Sequence, residues 1–144
     1  MMPRQFAAPL DAIDIVDTAH PHEVTATKAI RADDPYLSGH YPHFTIYPGI
    51  FIIESVGQAV RAHVAEHHEA SAPELAEVGS VRFTAPLVPG NTLTLKAAVT
   101  VGEVGEGLLR VKADCRREDG ARCAAMTLTY RLIETEEDSR AGTA

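Results

Sequence analysis

Residues 39–58 read Gly-His-Tyr-Pro-His-Phe-Thr-Ile-Tyr-Pro-Gly-Ile-Phe-Ile-Ile-Glu-Ser-Val-Gly-Gln. They bring a base, a backbone anion site and an acid close together. His40 sits in a loop flanked by aromatics and prolines, and imidazole is the side chain that exchanges protons near neutral pH. A lone loop histidine is usually a surface residue, but nearness to a helix start favours a role as base. Glu54 lies in an apolar segment. Desolvation there disfavours the charged form, which suits a general acid; the competing reading is a buried acid paired with an arginine. Gln58, four residues on, shares its helical face and is placed to orient the carboxyl. Gly57 lets another backbone approach. Pro48-Gly49 opens the helix with no Ser, Thr, Asp or Asn immediately before it, so its first amides lack an obvious cap. Such an end accepts a carbonyl or a developing oxyanion at the Gly49 N–H. Thr45, slightly further back, is the alternative cap.

Other constellations are weaker. His63 and His67 have helical zinc spacing, but no third ligand is indicated. Ser55 is in no nucleophile elbow. Gly102 to Gly107 reads as a hairpin turn, not a phosphate loop. Cys115 and Cys123 form neither a metal motif nor a disulfide framework and read as reduced thiols of a cytoplasmic protein.

These groups need a scaffold. The 144 residues suit one domain. A flexible arm is expected at 1–9, a single domain at 10–133 and a disordered acidic tail at 134–144. Alternation over 10–18 and 23–31 predicts a strand hairpin. A helix follows from Ile50 to Val64, with a polar end to Glu69. It is apolar all round at its start and so expected to be buried on every side. Ser71, Ala72 and Pro73 end it. Period-two stretches at 78–85, 92–101, 108–115 and 123–133 predict four more strands, the last two joined by a turn at Glu118-Asp119-Gly120. Short connections make the sheet antiparallel. The fold class is α+β, an antiparallel sheet wrapped around one long central helix, with a second subunit as a further means of covering it. The net charge of -7 argues against nucleic acid or an anionic membrane as main partner. No apolar run reaches the roughly 18 residues of a membrane span, and the first ten residues lack the long apolar core of a secretory signal.

Gly39-His40-Tyr41-Pro42, Pro48-Gly49, Glu54 and Gln58 together resemble the β-hydroxyacyl-acyl-carrier-protein dehydratases, which have a hotdog fold. Val81 to Gly90 resembles that family's strand before its Pro-Gly-Asp turn. The resemblance implies that His40 takes the C2 proton of a 3-hydroxyacyl thioester. Glu54 holds or protonates the departing hydroxyl, Gln58 orients it, and the Gly49 N–H polarises the carbonyl. It also implies a substrate tunnel lined by Ile46, Tyr47, Phe51 and Phe83. No metal or redox cofactor is required, the substrate riding on the phosphopantetheine of an acyl carrier protein. A homodimer or higher oligomer is implied, a heterodimer with a second hotdog subunit being the variant. His43, Thr45, Tyr47 and Asn91 depart from the family pattern and bear on substrate choice. A hotdog thioesterase and a non-catalytic acyl-binding or partner subunit are the rival readings.

Overall fold

The structure is a computed structural model that describes residues 12–31, 46–103 and 105–135. His40, His43, Thr45, the expected arm and residues 136–144 of the expected tail lie outside the described residues. The elements run β1 (Ile15–Asp17), β2 (Glu23–Ala29), α1 (Gly49–His67), β3 (Ser71–Phe83), β4 (Thr92–Val101), β5 (Leu108–Arg117) and β6 (Arg122–Glu134). The six strands form one antiparallel sheet in the order β1-β2-β4-β5-β6-β3. A sheet curled about one helix is the hotdog architecture expected from the sequence.

Strand alternation builds the core. Leu93, Leu95, Ala97 and Val99 of β4 are buried, as are Leu109, Val111, Ala113 and Cys115 of β5. They share one cluster with Ile52, Val56, Ala59, Val60 and Val64 of α1. Each fully buried large aliphatic side chain contributes about 1.5–3 kcal/mol before entropy is counted. The β5–β6 turn contains Gly120 at φ 87°, a conformation that favours glycine. Asn91 accepts the Val88 N–H at 2.8 Å and donates through Nδ2 to Glu118 at 2.8 Å. An aspartate there would accept the first bond but repel Glu118.

Four expectations are corrected. Within the described residues 12–18, the strand expected at 10–18 contracts to Ile15–Asp17; the Asp14 carboxylate instead accepts the Ala29 N–H at 2.7 Å. The strand expected at 78–85 spans Ser71–Phe83. Ala70, at φ 73°, turns the chain after the helix, and β3 starts at once. Pro73 is tolerated because β3 is an edge strand whose only sheet neighbour among the described residues is β6. Within this chain α1 is also not buried on every side: Ile50 is 66% exposed, while Ile53, Glu54 and Gly57 are half-buried. The sheet covers one face of the helix and leaves the other open. Glu134, expected in the acidic tail, instead ends β6, and the Thr135 N–H donates to the Ala70 carbonyl. Among the described residues, no helix is long and apolar enough to cross a membrane.

Candidate active site

Pro48 occupies the N-cap position of the helix with extended backbone and makes no side-chain cap bond, and the first turn holds no acidic residue; Thr45, the alternative cap, lies outside the described residues. The N–H groups of Phe51 and Ile52 donate to the Pro48 carbonyl at 2.9 and 3.3 Å. The Gly49 amide therefore stands at the positive end of the helix dipole. The Phe83 ring lies over it: a Cβ on Gly49 would fall 2.7 Å from Phe83 Cζ. Glycine fits there because it has no side chain.

Glu54 follows on the open face of the same helix. Gln58 Nε2 donates to Glu54 Oε1 at 3.2 Å, so the i, i+4 pair expected from the sequence forms. Gln58 Oε1 in turn accepts the Ala12 N–H at 3.0 Å, tying the segment before β1 to the site. None of the ion pairs among the described residues involves Glu54, so the arginine-paired reading is not realised in them. Instead, Glu54 lines a cavity of about 90 Å³ with Ile53, Gly57, Arg61, Leu75 and Tyr130.

Tyr130 went unremarked as a site residue because strand alternation marks it only as core. Burial, and then the Glu54 carboxylate, push its phenol up to about 12, with Arg61 opposing. The Tyr130 hydroxyl lies 3.6 Å from where a Cβ on Gly57 would be, an ordinary contact.

The expected tunnel residues gather around the helix start. Ile46 and Phe51 are half-buried, and Tyr47 is buried with its ring edge-on to Phe51 at 5.5 Å. The Tyr47 and Ser55 hydroxyls are 3.1 Å apart, and Ser55 Oγ donates to the Phe51 carbonyl at 3.0 Å. Ser55 is thereby occupied in helix and core packing. At the other end of α1, the His63 and His67 rings are 4.6 Å apart. His67 Nε2 contacts the Thr18 carbonyl, whereas neither ring nitrogen of buried His63 has a well-aligned hydrogen-bond partner. Burial first, then His67 and His68, lower the His63 pKa. Among the described residues, no group of three or more His, Cys, Asp or Glu could hold a metal ion.

A half-buried carboxyl with an amide orienter, beside a helix start, can transfer a proton and polarise a carbonyl. Comparisons with known proteins agree with that chemistry. A family model described as ApeI-like, ApeI dehydratase, matches residues 16–121. A 3-hydroxyacyl-[acyl-carrier-protein] dehydratase FabZ of Ruminiclostridium cellulolyticum is 31% identical over 116 residues, covering 78% of this chain and 80% of the relative. Among solved structures, the dehydratase heterocomplex ApeI:P from Xenorhabdus doucetiae aligns with a TM-score of 0.58 at 21% identity, over 87% of this chain and 99% of that one. A hypothetical thioesterase with coenzyme A from Streptococcus pneumoniae aligns with a TM-score of 0.63 at 12% identity, over 84% and 86%. At these identities the solved structures speak to the fold alone.

Proposed function

We propose that this chain, which belongs to the ApeI-like dehydratase family, removes water from a 3-hydroxyacyl thioester carried on an acyl carrier protein. The observation that carries the reading is the Glu54–Gln58 pair at 3.2 Å on the helix whose N-cap residue, Pro48, makes no side-chain cap bond. His40 takes the C2 proton. The electron pair forms the C2–C3 double bond as the C3–O bond breaks. Glu54 gives its proton to the departing hydroxyl, and water and a 2-enoyl thioester leave. The Gly49 N–H and the helix dipole stabilise the charge that builds on the thioester carbonyl. The elimination is redox-neutral overall, so it calls for no redox cofactor.

A second hotdog subunit completes the site in this reading. Support comes from the edge of the sheet, where Leu75, Val78 and Phe83 of β3 are large apolar residues left exposed, as is Ile50 on α1. An unpaired apolar edge strand is a template for another chain. For the acidic carrier, Arg82 lies with Lys96, Lys112 and Arg122 in a depression of about 700 Å³ away from α1, in which Asp114 pairs with Arg122 at 2.8 Å.

The test is mass spectrometry of a carrier-bound 3-hydroxyacyl substrate. The native protein should remove about 18 Da, one water, by acid–base elimination, and His40→Ala and Glu54→Gln should not. Release of free acid would establish the thioesterase reading instead. An unchanged substrate, with the protein alone and with added hotdog partners, refutes the proposal.

A further inference from the structure

We propose that Tyr130 is a positioning residue for Glu54, its hydroxyl holding the carboxylate from the sheet side while Gln58 holds it along the helix. The inference rests on Glu54 acting as the acid described above. Tyr130 belongs to β6, where it pairs with Leu75 of β3 and Leu109 of β5. Its side chain is buried at 4% exposure, and its hydroxyl reaches α1 over Gly57, three residues past Glu54. Residues three apart are neighbours on a helix surface. Tyrosine, glutamate and the exposed Arg61 line the same cavity of about 90 Å³.

The chemistry of the groups assigns the direction of the bond. Burial keeps the phenol protonated, so at working pH it is available as a donor. Glu54 becomes an anion once its proton has gone to the departing hydroxyl. A neutral donor in a partly buried site stabilises that anion without adding a charge that must itself be desolvated. Gln58 supplies one such donor from Nε2, while its carbonyl oxygen is engaged by Ala12. Tyr130 lines the opposite side of the same cavity with its ring anchored in the sheet, and its hydroxyl, which makes no hydrogen bond to Glu54 in this structure, would supply the other donor by turning across it. A phenylalanine would fill the same core volume but leave the carboxylate one donor short.

Two measurements on the full chain decide the matter. The first is steady-state kinetics of Tyr130→Phe on a 3-hydroxyacyl thioester across pH. Turnover should fall about tenfold, the scale of a hydrogen bond to a charged group, with KM changed by less than about twofold. The limb of the kcat profile that depends on the protonated acid should move to higher pH, because a donor favouring the carboxylate has been removed. A purely structural role would not move that limb. The second is an unfolding cycle of Tyr130→Phe, Glu54→Ala and the double variant. Non-additive shifts of the unfolding midpoint show the two side chains coupled. An active native enzyme whose Tyr130→Phe variant keeps its turnover and pH profile overturns the inference. Additive midpoints overturn it too, even in a chain that dehydrates nothing, in which case the functional reading fails separately.

Discussion

Acidification should weaken this fold through one residue, His63. Its side chain is fully buried between the end of α1 and the β1–β2 turn, and neither ring nitrogen makes a hydrogen bond of good geometry, the Pro21 carbonyl being only a poorly aligned acceptor beside it. The groups acting on it are His67 and His68 from its own helix, and His22 and the Pro21 carbonyl from the turn. Burial, the largest effect, disfavours the imidazolium, as do the three histidines, and only Pro21 opposes them. The folded pKa is therefore depressed below the unfolded value of about 6.5. The unfolded chain takes up the proton first, so stability is full above about pH 6.5 and declines as pH falls towards the folded pKa. The slope cannot exceed about 1.4 kcal/mol per pH unit for one proton. If the folded imidazole stays neutral between about pH 7.5 and 5.5, this residue removes about 1.4 kcal/mol over that interval. His63→Leu isolates the effect from the other histidines. It also replaces two unpaired buried nitrogens with apolar volume, so it should leave stability at about pH 7.5 unchanged or raise it by about 1 kcal/mol. Urea unfolding at fixed protomer concentration, across that pH range, measures both quantities. Equal pH slopes in native protein and His63→Leu refute the reasoning. So does a loss of more than about 2 kcal/mol in the variant at the upper pH, which would mean that the nitrogens make bonds worth keeping.

Other outcomes follow from the same geometry. Gly57→Ala should stabilise α1 by up to about 1 kcal/mol, the helix-propensity difference, because its Cβ would meet the Tyr130 hydroxyl at an ordinary 3.6 Å. Thermal unfolding checks this, and a lower midpoint would mean that the site cannot spare the space. If a second copy docks on exposed β3 as proposed, Val78→Lys near the middle of that strand should lower the mass towards that of the monomer in light scattering after size exclusion. Like charges brought together across such an interface repel, and an unchanged mass would refute docking at β3.

Much of the site was legible from spacing. Gln58 meets Glu54 because four residues make about one helical turn. That Pro48 would stand at the helix start without a side-chain cap bond of its own was also legible. Strands β4, β5 and β6 were marked by alternation, which needs only a buried face and an exposed face. The first half of β3 was not legible. Ser71, Ala72, Pro73 and Glu74 carry breaker and polar chemistry, and nothing local says that an edge position would tolerate a missing N–H. Pairing with β6 through Glu134 overrides their propensity. Tyr130 was hidden for a different reason: alternation says that a residue points inward, but not what it meets there.

The sequence by itself determined the elements whose causes are short-range: the helix with its acid, amide and Pro-Gly start, the hairpin turns and the alternating strands. Only the tertiary structure decided which strand lies at the edge, which face of α1 stays uncovered, and that a β6 tyrosine reaches the turn beside Glu54. Those outcomes depend on residues far apart in the chain. Spacing along a helix or strand is set by backbone geometry alone, whereas a contact between distant residues is set by how the whole sheet curls about the helix.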